Sequence, residues 1–480
     1  MSEKKNVVLI VIDALRPDHL SCYGYHKNTS PNIDYLAKNG IIFENAFSTT
    51  NVTDPSITTI LSGLYPISHG IRNHGEKVTR SMIRTFYKRK VLYLSEILKK
   101  YGYYTIGLDW LGRWHKKGFD YYLGEHLQLK TLKFFSRILR IIPNVISKKI
   151  KELCAKFLKR KKGRILIPTA SDLTNIATMI LENINEPFFL FIHYWDTHTP
   201  YYAPAEIYNV FKPNKKSIML KELFRNIKNN KWRRYLLEAF KGLNTVDEAI
   251  AMYDAAIRYV DQEIGRLIKC LKSLGIFRDT IFVITSDHGE SLTEHKIFFD
   301  HHGLYDVSIH VPLIFSNLPI KSKEKRIKGL IQHTDILPTI LDVLNMPFEK
   351  TQFNGVSLVP LIRGEIKSVR SFIVAEEFYT ERKIAIRTNK WKYIYSPSEK
   401  HAICRYCGII HGGLEELYDL ENDPNETQNI IKEKPEITIK LRTLLFEFIG
   451  QFKQTKSKRK KIEKIIKKIR REINLSAHGI

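Results

Sequence analysis

Four places in this 480-residue chain put metal-ligand residue types where buried strands are expected to end: Asp13, Asp196 with His198, Asp287 with His288, and His302. Carboxylate oxygens and imidazole nitrogens are what a metal-assisted ester hydrolase requires. Each alone has an ordinary explanation, because strand-end Asp residues cap helices and lone histidines are satisfied in cores. Together they gain weight, since a parallel sheet gathers the carboxyl ends of its strands and open α/β sheets bind ligands there. Asn51-Val52-Thr53-Asp54-Pro55-Ser56 supplies a hydroxyl where a loop enters a helix. The helix N-terminus would stabilise negative charge beside the Thr53 oxygen, and metal coordination would activate that weak nucleophile. Threonine is also a good N-cap, and the local sequence leaves nucleophile and cap level. A further group, His401, Cys404, Cys407 and His411, has two readings: a small zinc site, or a plain hairpin loop with reduced thiols. The tight spacing favours the loop.

The elements that must position these residues alternate. Asn6–Ile12 (NVVLIVI) is a continuous apolar run, the pattern of a strand buried on both faces. Helices are expected over Pro31–Asn39, from Thr53 to Leu61, and over Leu92–Tyr101, Ala170–Asn185 and Thr245–Leu274, with strands over Tyr104–Leu108, Phe188–Tyr194 and Thr280–Ile284. That alternation predicts an α/β fold with a large, mostly parallel sheet covered by helices on both faces. After about Arg370 the texture changes. Short strands at Phe372–Glu377, Lys383–Arg387, Lys390–Pro397 and Leu417–Leu420, then an amphipathic helix over Pro435–Phe452, predict a small α+β subdomain on an antiparallel sheet. The predicted organisation is a catalytic domain over 1–370 with a basic amphipathic insertion at about 126–164, a C-terminal subdomain over 371–452, and a basic helical tail over 453–480.

The net charge of +27 is uneven. His126–Arg164 holds thirteen Lys/Arg and one acid, and Gln451–Ile480 holds eleven Lys/Arg and two acids, leaving a near-neutral body. Both segments show apolar residues at helical spacing. They read as helices docked on the body, or as interfacial helices on an anionic membrane surface. No nucleic-acid module or aromatic stacking array accompanies the charge, which argues against nucleic acid as partner. No apolar run approaches the roughly 18–20 residues of a membrane span. No signal-peptide pattern follows Glu3-Lys4-Lys5, and five scattered cysteines make no disulfide framework. The expected localisation is cytoplasmic, with peripheral attachment at the inner membrane face as an extension.

The chain resembles the sulfatase family of the alkaline phosphatase superfamily along most of its length. The resemblance rests on Asn6–Pro17 (NVVLIVIDALRP), Ser30–Phe43 (SPNIDYLAKNGIIF), Thr53–Gly70 (TDPSITTILSGLYPISHG) and Tyr253–Glu290, which ends in TSDHGE. Tyr305–Phe315, His333–Leu341, Gly355–Leu361 and Leu417–Asn429 (LYDLENDPNETQN) add further matches in order. Carried over residue by residue, the resemblance implies a metal site of Asp13, Asp287 and His288 with Thr53 as nucleophile. It implies His198 and His302 as groups touching the substrate or the leaving group, and Asn73 or His74, with Asp196, as substrate contacts. His333 and Asp335 match the family but look structural. One divalent metal (Ca, Mn or Zn) is implied. A second, held by Asp196, His198 and His302, is the alternative.

The departures bear on function. Most sulfatases carry, at the position of Thr53, a Cys or Ser that becomes formylglycine, with Arg at the position of Ile57. Ala14 stands where they have a second Asp, and His288 where many have Asn. Threonine cannot become formylglycine, and a threonine ester must be released by attack at the central atom. A Thr-x-Pro nucleophile with an Asp-His pair looks more like the phosphodiesterase and phosphoethanolamine-transferase branches of the superfamily. The expected function is a metal-dependent hydrolase of a sulfate or phosphate ester, phosphoester favoured, acting on an anionic substrate that is lipid- or glycan-linked. A phospho-headgroup transferase and a catalytically silent binding scaffold are the alternatives.

Overall fold

The computed structural model describes residues 4–124, 167–184, 187–213 and 217–452. The basic insertion at about 126–164 and the tail over 453–480 lie outside the described residues. Eight strands form the larger sheet: β1 (Asn6–Ile12), β2 (Gly40–Phe47), β3 (Tyr104–Leu108), β4 (Tyr121–Leu123), β5 (Phe188–Tyr194), β6 (Thr280–Thr285), β7 (His310–Ser316) and β8 (Arg326–Gln332). Their spatial order is β4-β3-β5-β1-β6-β7-β2-β8. The pairs from β4 through β6 are parallel, and β7 runs antiparallel to both β6 and β2. The expected parallel sheet is therefore present at its centre, where β1 lies between β5 and β6.

Every residue of β1 is buried. Its alternate residues serve opposite faces, as a two-residue period requires. Val8, Ile10 and Ile12 join one core with helices α1 (Pro31–Lys38), α3 (Ala170–Leu181) and α4 (Val246–Ser273). Val7, Leu9 and Val11 join the other with α2 (Thr53–Ser62) and α5 (Ile336–Val343). The long α4 starts at a capping box in which Thr245 accepts from Glu248 N, while the Glu248 carboxylate accepts from Thr245 N.

Four antiparallel strands build the second sheet, in the order β12-β11-β10-β9: β9 (Ile373–Glu377), β10 (Lys383–Arg387), β11 (Trp391–Tyr395) and β12 (Glu415–Asp419). Helix α6 (Pro435–Gln451) covers one face through Leu441 and Leu445. The other face packs Ala385 and Ile394 against Phe47, Tyr305 and Ile309 of the larger unit. No helix of the described residues is long and apolar enough to cross a membrane.

Candidate active site and metal centre

The turn after β1 and the turn after β6 dock on each other. Ala14 N donates to Asp287 Oδ1 (3.2 Å) and Leu15 N to Ser286 Oγ (2.9 Å). To make this contact Ala14 adopts φ 55°, a left-handed conformation that is uncommon for a residue with a Cβ. Gly289 closes the second turn: a Cβ there would stand 2.1 Å from Val307 O, so only glycine permits this approach. Asp13, Asp287 and His288 are thereby brought together, fully buried, with one ligand atom from each within 4.8 Å of the others.

Both Asp13 carboxylate oxygens and Asp287 Oδ2 are buried without a hydrogen-bond donor. Buried carboxylates without donors are costly unless a cation compensates them. Burial raises the Asp287 carboxyl above its ordinary range. Burial also lowers His288 to about 4, leaving a neutral ring. Its Nδ1 faces Gly289 O at 2.8 Å, which leaves Nε2 for the cluster. Two carboxylates and a neutral imidazole are a donor set that fits a divalent cation.

Thr53 is the first residue of α2, and Val52 is the N-cap. The capping alternative therefore fails, because the Thr53 hydroxyl points into the site instead. Its Oγ1 lies 3.3 Å from His288 Nε2. Ile57, one turn along α2, is fully buried in the core on that side of the sheet. An aliphatic side chain therefore fills the position where the family pattern has Arg.

The sequence reading missed His193, Asp109, Asp54, His115 and His301. His193 stands in the otherwise apolar β5, with Nε2 3.4 Å from Asp13 Oδ2 and Nδ1 3.0 Å from Asp109 Oδ1. Burial opposes its charge, yet the facing Asp109 and Asp13 carboxylates prevail and lift it to about 10. A histidine inside a buried apolar strand was the signal available. Asp54 follows Thr53 and is ringed by His115 Nε2 (2.9 Å), His74 Nδ1 (3.1 Å) and the Gly75 N–H (2.8 Å). Despite burial, these donors hold its carboxyl well below the usual range. His74 in turn is raised: burial opposes its charge, and Asp54, then Asp13 and Asp287, favour it. Asn73 is next to His74, with a buried Oδ1 that has no donor.

His198 stacks on Trp195 (4.4 Å between centroids) and lies 6.4 Å from His288 and 5.5 Å from His301. Its Nδ1 faces Thr199 O at 2.7 Å. His301, rather than His302, stacks on His288, at 4.0 Å. His302 turns the other way: its Nε2 lies 3.3 Å from Cys407 Sγ and its Nδ1 3.3 Å from Asp300 Oδ2. His302 therefore faces the Cys407 thiol, and its neighbour His301, not His302, lies beside His288. Asp196 is also displaced. It is buried near the start of α3, where desolvation, against a backbone hydrogen bond at Ala170, raises it to about 8. Among the described residues no metal-binding group unites Asp196, His198 and His302, so the expected second-metal trio is not assembled.

A model of the family "Sulfatase" matches residues 5–346. The chain belongs to the sulfatase family. A second model, "N-sulphoglucosamine sulphohydrolase, C-terminal", matches residues 293–451 and so spans the smaller sheet and α6. The chain is 25% identical over 472 residues to a Δ4,5-hexuronate-2-O-sulfatase of Bacteroides thetaiotaomicron, covering 94% of this chain and 90% of that one. It is 26% identical over 464 residues to an arylsulfatase of Clostridium perfringens, covering 89% of this chain and 90% of that one. Among solved structures, the phosphonate monoester hydrolase of Agrobacterium radiobacter superposes with a TM-score of 0.67 at 20% identity, covering 94% of this chain and 96% of that one. Membership of the sulfatase family makes this chain an ester hydrolase.

The Asp109–His193–Asp13 chain yields a prediction. A group that orients a ligand from behind is worth roughly 10–100-fold in metal affinity or activity. Asp109→Asn should therefore weaken both by roughly that factor, with far-ultraviolet circular dichroism unchanged. A metal titration followed by turnover measures it, and an unaltered titration midpoint would show that the chain is only packing.

Proposed function

We propose that this sulfatase-family protein cleaves an anionic ester through the Thr53 hydroxyl, and that a phosphoester is its preferred substrate. The observation that carries the reading is the Thr53 Oγ1 at 3.3 Å from His288 Nε2, on the first residue of α2, beside Asp13 and Asp287, which between them hold three buried carboxylate oxygens without a hydrogen-bond donor. A divalent cation held by Asp13, Asp287 and His288 would supply positive charge that favours the alkoxide of a nearby hydroxyl and neutralises ester oxygens.

The chain's own residues account for the remaining work. Thr53 Oγ forms the bond to the central atom as the bond to the leaving oxygen breaks, and the hydroxyl proton leaves to solvent. The α2 N-terminus, and His74, whose charged form the neighbouring carboxylates favour, would stabilise the charge that the equatorial oxygens gain. His198 keeps Nδ1–H on Thr199 O, and a ring protonated at both nitrogens would give its Nε2 proton to the leaving oxygen and regain one from solvent. Water then attacks the central atom, and Thr53 departs with its proton restored. Attack at the centre suits phosphorus, because a threonine ester has no geminal hydroxyl through which to expel sulfate.

Sulfate-ester cleavage is the second reading, favoured by the names of the relatives. One structural neighbour was solved with D-glucosamine-2-N,6-O-disulfate, which makes an anionic glycan ester a reasonable substrate class. The test is turnover of aryl sulfate, aryl phosphate and bis-aryl phosphate by metal-stripped protein reloaded with calcium, manganese or zinc. Dominant phosphoester turnover is expected. Dominant sulfate turnover would overturn the substrate preference and leave the family assignment untouched.

A further inference from the structure

We infer that the chain holds a structural zinc ion with His302, Cys404, Cys407 and His411, away from the Asp13–Asp287–His288 centre. All four side chains are buried, and their candidate ligand atoms lie within 4.8 Å of one another. Ligands at tetrahedral zinc, with bonds of about 2.0–2.3 Å, stand roughly 3.3–3.8 Å apart. His302 Nε2 and Cys407 Sγ are already at 3.3 Å.

The sequence favoured a plain loop and offered His401 with Cys404, Cys407 and His411 only as the alternative, but His401 Nδ1 lies 2.8 Å from Ser398 Oγ, and His302 takes its place in the cluster. The local geometry of the Cys-x-x-Cys segment suits metal-binding thiolates. Cys407 N donates to Cys404 Sγ (3.3 Å), and Gly408 N donates to Cys404 O (2.8 Å). Gly408 has φ +75°, which lets the chain turn back sharply after the second thiol. Cys404 N then bonds Ile409 O (2.8 Å), and Ile403 bridges Ile410, so the loop closes on itself and delivers His411.

His411 is held from behind by a hydrogen bond, as zinc-ligating histidines usually are, and His302 by an ion-pair contact. His302 Nδ1 lies 3.3 Å from Asp300 Oδ2, and His411 Nδ1 lies 3.0 Å from His295 O. Each ring therefore presents Nε2 to the thiols. His411 Nε2 is buried with no partner, an otherwise unexplained deficit that a metal would remove. Two thiolates and two imidazoles make a closed set, the pattern of structural zinc rather than catalytic zinc. Binding releases the two thiol protons to solvent and changes no oxidation state.

The ion would join the two units of the fold. Cys404, Cys407 and His411 come from the connection between β11 and β12, whereas His302 comes from the larger unit. His302 also follows His301, whose ring lies on His288. The zinc would thus anchor the segment that carries His301 into the active site.

The experiment compares protein purified without chelators in three forms: wild type, the Asp13→Asn/Asp287→Asn pair, and the Cys404→Ser/Cys407→Ser pair. Metal content is read by mass spectrometry, and the wild type is also reconstituted with cobalt. The expected result is zinc at one equivalent per chain that survives the Asp pair and is lost in the Cys pair. Cobalt should give a thiolate-to-metal charge-transfer band, and this arm does not depend on how the Cys variant folds. Zinc-free wild type without a cobalt thiolate band, or zinc unchanged in the Cys pair, would overturn the assignment. So would a Cys404–Cys407 disulfide as the native state. Failure of the active-site metal alone would instead show as loss of the other equivalent with this one retained.

Discussion

Thr53→Ala should reduce turnover by on the order of 10⁴-fold or more, the scale seen when a covalent nucleophile is removed. The fold should survive. Thr53 is the first residue of α2 and not its cap, and alanine is a better helix former than threonine. The deletion removes one hydroxyl and one methyl group from a buried site, a loss of about 1–2 kcal/mol at most. Thermal unfolding of the variant with a diester assay on the same sample separates the two effects. Thr53→Ser keeps a hydroxyl at the same place and should retain measurable turnover. Wild-type rates in Thr53→Ala would mean that water, not the side chain, attacks the ester.

Asp13→Asn or Asp287→Asn should remove metal-dependent activity and weaken metal binding by more than about 100-fold, since outer-shell changes alone reach that scale. Asp287→Asn should not destabilise the metal-free protein, whereas Asp13→Asn also takes a carboxylate away from buried His193, 3.4 Å distant. Asp13 carries two buried oxygens without donors, and its charge faces Asp287 across the cluster. Removing one charge relieves repulsion that only a cation or a protonated neighbour otherwise offsets. Wild type should gain about 2.7 kcal/mol at a metal concentration a hundred times Kd, seen as a rise in Tm that the variants lack. The rise should also depend on pH. Burial raises the Asp287 carboxyl, so its contribution in the metal-free protein is present at low pH and is lost as pH rises through its folded pKa. Metal binding needs the charged form, and the metal-induced rise in Tm should therefore grow with pH. An equal rise in wild type and variants would place the stabilising ion elsewhere.

Much of the fold was legible because strong periodicity leaves few options. The continuous apolar runs of β1, β5 and β6 suit only strands covered on both faces, and α4 came within a residue of its expected ends. The antiparallel course of β7 was not legible. Strand direction depends on where the intervening chain returns, and Val311–Phe315 would be equally apolar in either orientation.

The Asp13–Asp287–His288 cluster and the Thr53 hydroxyl could be read from the sequence because each residue sits at the end of a strong element, and such ends converge in a parallel sheet. The sequence by itself thus determined the α/β scaffold of the sulfatase family and singled out Asp13, Asp287, His288 and Thr53, which the structure brings together. Tertiary structure alone decided which histidine faces which site. His301 and His302 are neighbours in sequence, yet one ring lies on His288 and the other on Cys407. It likewise placed His193 and Asp109 behind Asp13 and moved Asp196 out of the site. The physical reason is that side-chain direction within a loop is set by what packs around it. The contacts that set it come from segments a hundred or more residues away, which no local spacing records.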